Sequence, residues 1–160
     1  SDYGPVISFE PMYHDIVSLN VKNNHLRYPV QVIPCALSDE KTVSKICIPS
    51  RGCQSDTLIN YGGTSFHHTD EMRGEGVDVS CERLDDIYTG VTSFMKIDVE
   101  GHELPVLKGA TETIKKHKPT IAIEIHDFSE DSEIHQYLKS LGYGDPEPRP
   151  EDMFIYKSFA

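Results

Sequence analysis

The sequence predicts an α/β fold: a mostly parallel sheet with helices on both faces and an antiparallel strand at the C-terminal end. Three observations predict it. Short apolar runs alternate with helical patterns along the whole chain, the order that gives parallel sheets with crossover helices. Two of those runs, Phe94 to Glu100 and Thr120 to His126, finish in ionisable residues, Asp98 and Glu100 in the first, Glu124 and His126 in the second. Such endings mark the carboxyl edge of a parallel sheet, where α/β folds place their ligands. The last apolar run, Met153 to Lys157, follows a helix stop and closes the chain as a strand running the other way.

The elements follow in order. Val6 to Glu10 reads as a strand ending in an acid before Pro11, and His14 to Asn24 as a helix through Ile16, Val17, Leu19 and Val21. Val30 to Ser38 is a second strand, and Lys41 to Pro49 alternates as a third, antiparallel one. Residues from about 50 to 76 form a long irregular loop rich in Gly, Ser, Thr and charge. Val77 to Cys81 is a strand and Glu82 to Tyr88 a short helix. Gly101 breaks the strand that begins at Phe94, and a helix runs from His102 to His117. After the strand to His126, a helix from Ser132 to Leu141 stops at Gly142. No repeat and no second domain interrupts this order, so the 160 residues read as one domain.

Bulk composition excludes several roles. A formal charge of −11 opposes non-specific binding to nucleic acid or to anionic membrane. There is no long apolar run and no signal-peptide pattern, so a soluble chain is expected. Cys35, Cys47, Cys53 and Cys81 have neither zinc-site nor disulfide-framework spacing, which fits a reducing, cytoplasmic setting.

Chemistry concentrates at the strand ends. Glu10 stands where dinucleotide-binding folds place the acid that holds a ribose diol, although a capping or solvated role is the plainer alternative. Asp98 and Glu100 are two apart on an extended run and lean to one side. With parallel strands about 4.8 Å apart, pairing of the two runs brings Glu124 and His126 close to Asp98, Glu100 and His102. Five such groups perturb one another's pKa values, as functional clusters do. Glu103 reads as a helix-dipole partner, as do Lys115, Lys116 and Lys118. His67 and His68, with Asp70 and Glu71, read as solvated loop residues; His14, His25, His117 and His135 read as surface residues. The same carboxylate and imidazole set also admits a metal-dependent hydrolase.

Taken together, these residues resemble the FkbM-type methyltransferase family. The resemblance rests on Phe9-Glu10-Pro11, Ala36-Leu37-Ser38-Asp39, Leu84-Asp85-Asp86, Lys96 to Ala110, Pro119 to His126 and Leu141-Gly142-Tyr143, in the family's order and spacing. It implies a Rossmann-like sheet and an S-adenosylmethionine-dependent O-methyltransferase acting on a hydroxyl of a small molecule or glycan. By the same resemblance Glu10 holds the ribose, Leu37, Ser38 and Asp39 flank the adenine, and Asp98 lines the methionyl end. Glu100, His102, Glu124 and His126 then face the acceptor as the catalytic group, with His102 the first choice of base and His126 the second. No metal is implied.

One departure stands out. The family's first strand and glycine-rich loop, upstream of the strand ending at Glu10, have no counterpart here. The chain is therefore expected to be an N-terminally truncated member with weak cofactor binding, and its open strand flanks to favour self-association. A non-catalytic remnant serving as a binding module is the other outcome this departure allows.

Overall fold

The computed structural model describes residues 4–47, 66, 76–126 and 128–159. The loop expected over about 50–76, with Cys53, His67, His68, Asp70 and Glu71, lies outside the described residues apart from Phe66 and Gly76.

The first unit is β1 (Val6–Phe9), α1 (His14–Asn23) and β2 (Val30–Ile33), with β1 and β2 parallel. Glu10 follows β1 directly. Its Oε1 accepts the backbone N–H groups of Met12 at 2.9 Å and Tyr13 at 3.0 Å, donors that precede the first turn of α1. The apolar stripe of α1 stays uncovered among the described residues: Ile16 is 58% exposed and Leu19 56%.

The strand expected from Val30 to Ser38 is two strands. Pro34 interrupts it, and β3 (Ala36–Leu37) leaves β2 to join another sheet. There β5 (Gly76–Glu82) lies between β3, which runs parallel to it, and β4 (Thr42–Cys47), which runs antiparallel as expected. Ala36, Ile46, Val79 and Cys81 form a small core for this sheet.

The main core lies in the C-terminal half. After α2 (Leu84–Ile87) come β6 (Phe94–Ile97), α3 (Glu103–Gly109), α4 (Thr111–His117), β7 (Thr120–Glu124), α5 (Glu133–Ser140), β8 (Glu147–Pro148) and β9 (Met153–Tyr156). The strand order is β6-β7-β9-β8, with β6 and β7 parallel and β9 antiparallel to β7. Ile121, Ala122 and Ile123 are buried in succession, so β7 is covered on both faces, which is why it reads as an unbroken apolar run. Leu107, Ile114, Leu138, Tyr143 and Tyr156 surround it. Tyr143 donates its hydroxyl to Pro119 O at 2.7 Å, and burial pushes its pKa up to about 12.

Expectation and structure part at several points. The helix expected from His102 to His117 is broken at Ala110. Asp85 supplies the reason: its two carboxylate oxygens accept the N–H groups of Glu112 and Thr113, each at 2.9 Å, and give α4 a start of its own. His135 is not a surface residue but 1% exposed, its Nδ1 lying 3.1 Å from the Tyr156 hydroxyl. The late helix stop, in contrast, forms as read. Gly142 takes a φ of +84, its N–H reaches Lys139 O at 2.9 Å, and the N–H of Tyr143 reaches Leu138 O at 3.1 Å. The largest difference concerns the sheet. The described strands form three sheets, not one mostly parallel sheet, and three pairings are parallel against three antiparallel. Continuity is lost because, among the described residues, β1 pairs with β2 alone and β6 with β7 alone.

Gly109 locks α3 against the end of β3. A Cβ built there would lie 1.9 Å from the carbonyl oxygen of Ser38, a backbone atom that cannot swing aside. Gly109→Ala is therefore expected to cost about 1–3 kcal/mol by overpacking. Urea denaturation would measure it.

Candidate active site

The site is built by the turns that follow β6 and β7. Ile97 is in register with Ile123, so the next residues along the two parallel strands, Asp98 and Glu124, are brought side by side. Lys96 sits two positions before Asp98 on the same strand, its Nζ 2.5 Å from Asp98 Oδ2. Asp98 is held below its ordinary carboxylate range, first by the hydrogen bond from Glu124 and then by Lys96. Glu124 is pushed above its range, first by the same bond to Asp98 and then by burial. Opposite shifts are what two carboxyl groups held side by side produce, because ionising one disfavours ionising the other.

Beyond Asp98 the chain reverses sharply. Glu100 has a φ of +50 and Gly101 a φ of +94, and the N–H of His102 returns to Val99 O at 3.3 Å. A non-glycine residue held in that region costs on the order of 1–3 kcal/mol. Strand alternation therefore stops before Glu100, which is aimed by its turn and not by the pleat. Glu103 Oε1 accepts the Gly101 N–H at 2.8 Å, so this acid braces the turn as well as sitting at the helix start.

His126 lies where three acids converge. Its Nε2 is 3.6 Å from Glu100 Oε2 and 3.9 Å from Glu124 Oε1, and its Nδ1 is 3.6 Å from Asp152 Oδ2. These are ion-pair distances, longer than a hydrogen bond. Burial draws the imidazole pKa down, but Asp152, Glu124 and Glu100 outweigh it and the net shift is upward. The side chain stays 55% exposed. Beside it a groove of about 380 Å³ runs between the starts of α3 and α5, with Leu104, Ile125, Glu133 and Ile134 among its walls.

His102 goes elsewhere. Its Nε2 is 3.0 Å from Ser38 Oγ, and its ring centroid is 4.4 Å from that of Phe66. Ser38 Oγ also donates to Asp39 Oδ1 at 3.2 Å. The five-residue cluster thus divides. Asp98, Glu100, Glu124 and His126 form one group, while His102 joins Ser38 and Asp39 at the end of β3. Leu37 packs on the edge of the main core, and the Glu10 carboxylate is turned toward its own backbone.

Two residues were not singled out from the sequence. Lys96 stood in plain view, two positions before Asp98. Asp152 did not, because its approach to His126 depends on a hairpin joining β8 to β9. No group of three His, Cys, Asp or Glu among the described residues is arranged to hold a metal ion. Also among the described residues, no helix is long and apolar enough to cross a membrane.

Fold and site together describe an α/β domain with a titratable cluster at the carboxyl edge of its parallel strands. The sequence matches the methyltransferase FkbM domain family over residues 2–144, and the chain belongs to that family. The crystal structure of the methyltransferase FkbM from Methylobacillus flagellatus KT has a similar fold, with a TM-score of 0.58 at 21% identity. The alignment covers 96% of this chain but 36% of that one, so this chain spans little more than a third of its length. No curated protein matches the sequence.

The acid pair makes stability depend on pH. Asp98 ionises below its ordinary 3.8, so its contribution is present above that value and is lost as pH falls through the lowered pKa. Glu124 ionises above 4.5, so its contribution is present below that value and is lost as pH rises through the raised pKa. Glu124→Gln imitates the protonated acid and removes the second loss. Urea midpoints taken from acid to neutral pH should show the variant gaining on the parent as pH rises.

Proposed function

We propose that this chain is an S-adenosylmethionine-dependent O-methyltransferase domain that acts on a hydroxyl of a small molecule or glycan. One observation supports this above the others: Asp98, Glu100, Glu124 and His126 meet at the carboxyl end of β6 and β7, beside a groove, in a chain of the FkbM methyltransferase family.

The residues fit the cofactor. Glu10 ends β1 with one carboxylate oxygen anchored by two backbone amides, a fixed acceptor for ribose hydroxyls. Leu37, Ser38 and Asp39 would flank the adenine, and Asp98 the methionyl end, where negative charge favours a cation. When bound, S-adenosylmethionine supplies a methyl group on a positively charged sulfur. The chain's own part is to hold the acceptor and take its proton. A base placed at the hydroxyl contributes about 10²- to 10⁴-fold. His126 suits that role better than His102, whose Nε2 already meets Ser38 Oγ. Glu100 and Glu124 would steady the imidazolium that forms. The titratable groups that line the groove are Glu103, Glu133 and His126, and neither Lys nor Arg is among them, so an acceptor without negative charge fits best.

The finer architecture is part of the same proposal. A further parallel strand between β1 and β6 would join the two edges and complete a Rossmann-like sheet, bringing the loop that contacts the methionine end.

Two measurements bear on this. In calorimetric titration, S-adenosylmethionine should bind, and a form in which a further strand lies between β1 and β6 should bind it more tightly than one without that strand. Equal binding by the two forms would refute the need for that strand, and no binding by either form would remove the methyltransferase reading. In the form with that strand, His126→Ala should lower methyl transfer by about 10²-fold or more, and His102→Ala by less.

A further inference from the structure

We infer that Asp152 is a positioning residue that orients His126, with the β8–β9 hairpin built to deliver it. The inference rests on His126 being the base proposed above, and it adds a residue from an element that the family match, ending at residue 144, does not reach.

The delivery is specific. Glu151 has a φ of +60 and Asp152 a φ of +52, two consecutive left-handed residues at the end of the connection from β8 to β9. Side-chain-bearing residues adopt that conformation at a cost, and here neither position is glycine. The Ile125 N–H donates to Asp152 O at 2.9 Å, so the hairpin tip is tied to the chain one residue before His126. In register, Glu124 faces Met153, which sets Asp152 beside the end of β7. Two of the four positive-φ non-glycine residues among the described residues, Glu100 and Asp152, carry carboxylates that meet His126 from different sides. Strained backbone at two acids around one imidazole is the pattern expected of a constrained site.

The two ring nitrogens therefore have different neighbours. Nδ1 faces Asp152 from the hairpin. Nε2 faces Glu100 from the turn after β6 and Glu124 from β7. Glu103 on α3 and Glu133 on α5 are the remaining charged groups of the adjoining groove. Asp152 is the acid that faces Nδ1, so it favours the neutral tautomer with its proton there, against the pull of Glu100 and Glu124 at Nε2. The 3.6 Å separation is open, and such contacts tighten when a ligand closes the site.

Nitrogen-15 NMR of the His126 ring in the full chain tests this without cofactor or acceptor. In the parent the neutral form should carry its proton mainly on Nδ1. Asp152→Gly suits the positive φ and preserves the hairpin. It should shift the neutral form toward protonation at Nε2 and lower the titration midpoint by about 0.5–1 in pH, the scale of one carboxylate at a half-exposed pair. Asp152→Asn keeps the shape without the charge and should lower the midpoint as well. A parent ring protonated mainly at Nε2, or unchanged tautomer and midpoint in both variants, would overturn the inference. That failure is separate from failure of the methyltransferase reading, which the cofactor titration decides.

Discussion

The parallel pairing of β6 with β7 is the constraint on which the rest depends. Four register pairs, Phe94 with Thr120 through Ile97 with Ile123, bring both strands to their ends together. Each strand hands its next residue to the same edge, so Asp98 and Glu124 meet without any dedicated contact to steer them. The pairing is stable because β7 is buried on both faces, with Ile121 and Ile123 fully enclosed. Burying such a side chain contributes about 1.5–3 kcal/mol. That apolar contribution holds together acids that would otherwise repel, and ionising one of them disfavours ionising the other.

Around this fixed pair the remaining groups are placed by turns, not by strands. Glu100 and Asp152 both occupy left-handed backbone, and both aim a carboxylate at His126. Gly101 lets the chain reverse into α3, and Gly109 lets α3 press against Ser38. The second contact explains why His102, though four residues from Asp98, ends beside β3. The helix that His102 precedes is seated on that strand's end, and Ser38 Oγ is within reach. A stretch of about a dozen residues thus serves two neighbourhoods, one acidic around His126 and one polar around Ser38.

Several charged residues in and beside the motif series have structural duties. Asp85 caps α4 through two backbone amides. Glu103 braces the Gly101 turn. Lys118 Nζ donates to Leu141 O at 2.5 Å, so a residue after α4 stabilises the end of α5. These contacts hold the edge on which the titratable cluster stands, and family membership does not by itself separate such residues from those that touch a ligand.

The sequence alone determined the element types, their order and the carboxyl edge at which the ionisable residues gather. Apolar periodicity and glycine or proline punctuation are local signals, and they carried through to β1, α1, β4, β5, β6, β7, α5 and β9. The motif series was enough to point to the family. Tertiary structure alone decided which of the gathered groups touch. It drew His102 away to Ser38, buried His135 against Tyr156, broke the long helix at Ala110 and added Asp152 to His126. Each of these depends on contacts between residues far apart in the chain, set by register and by positive-φ turns. A window of neighbouring residues holds no record of them.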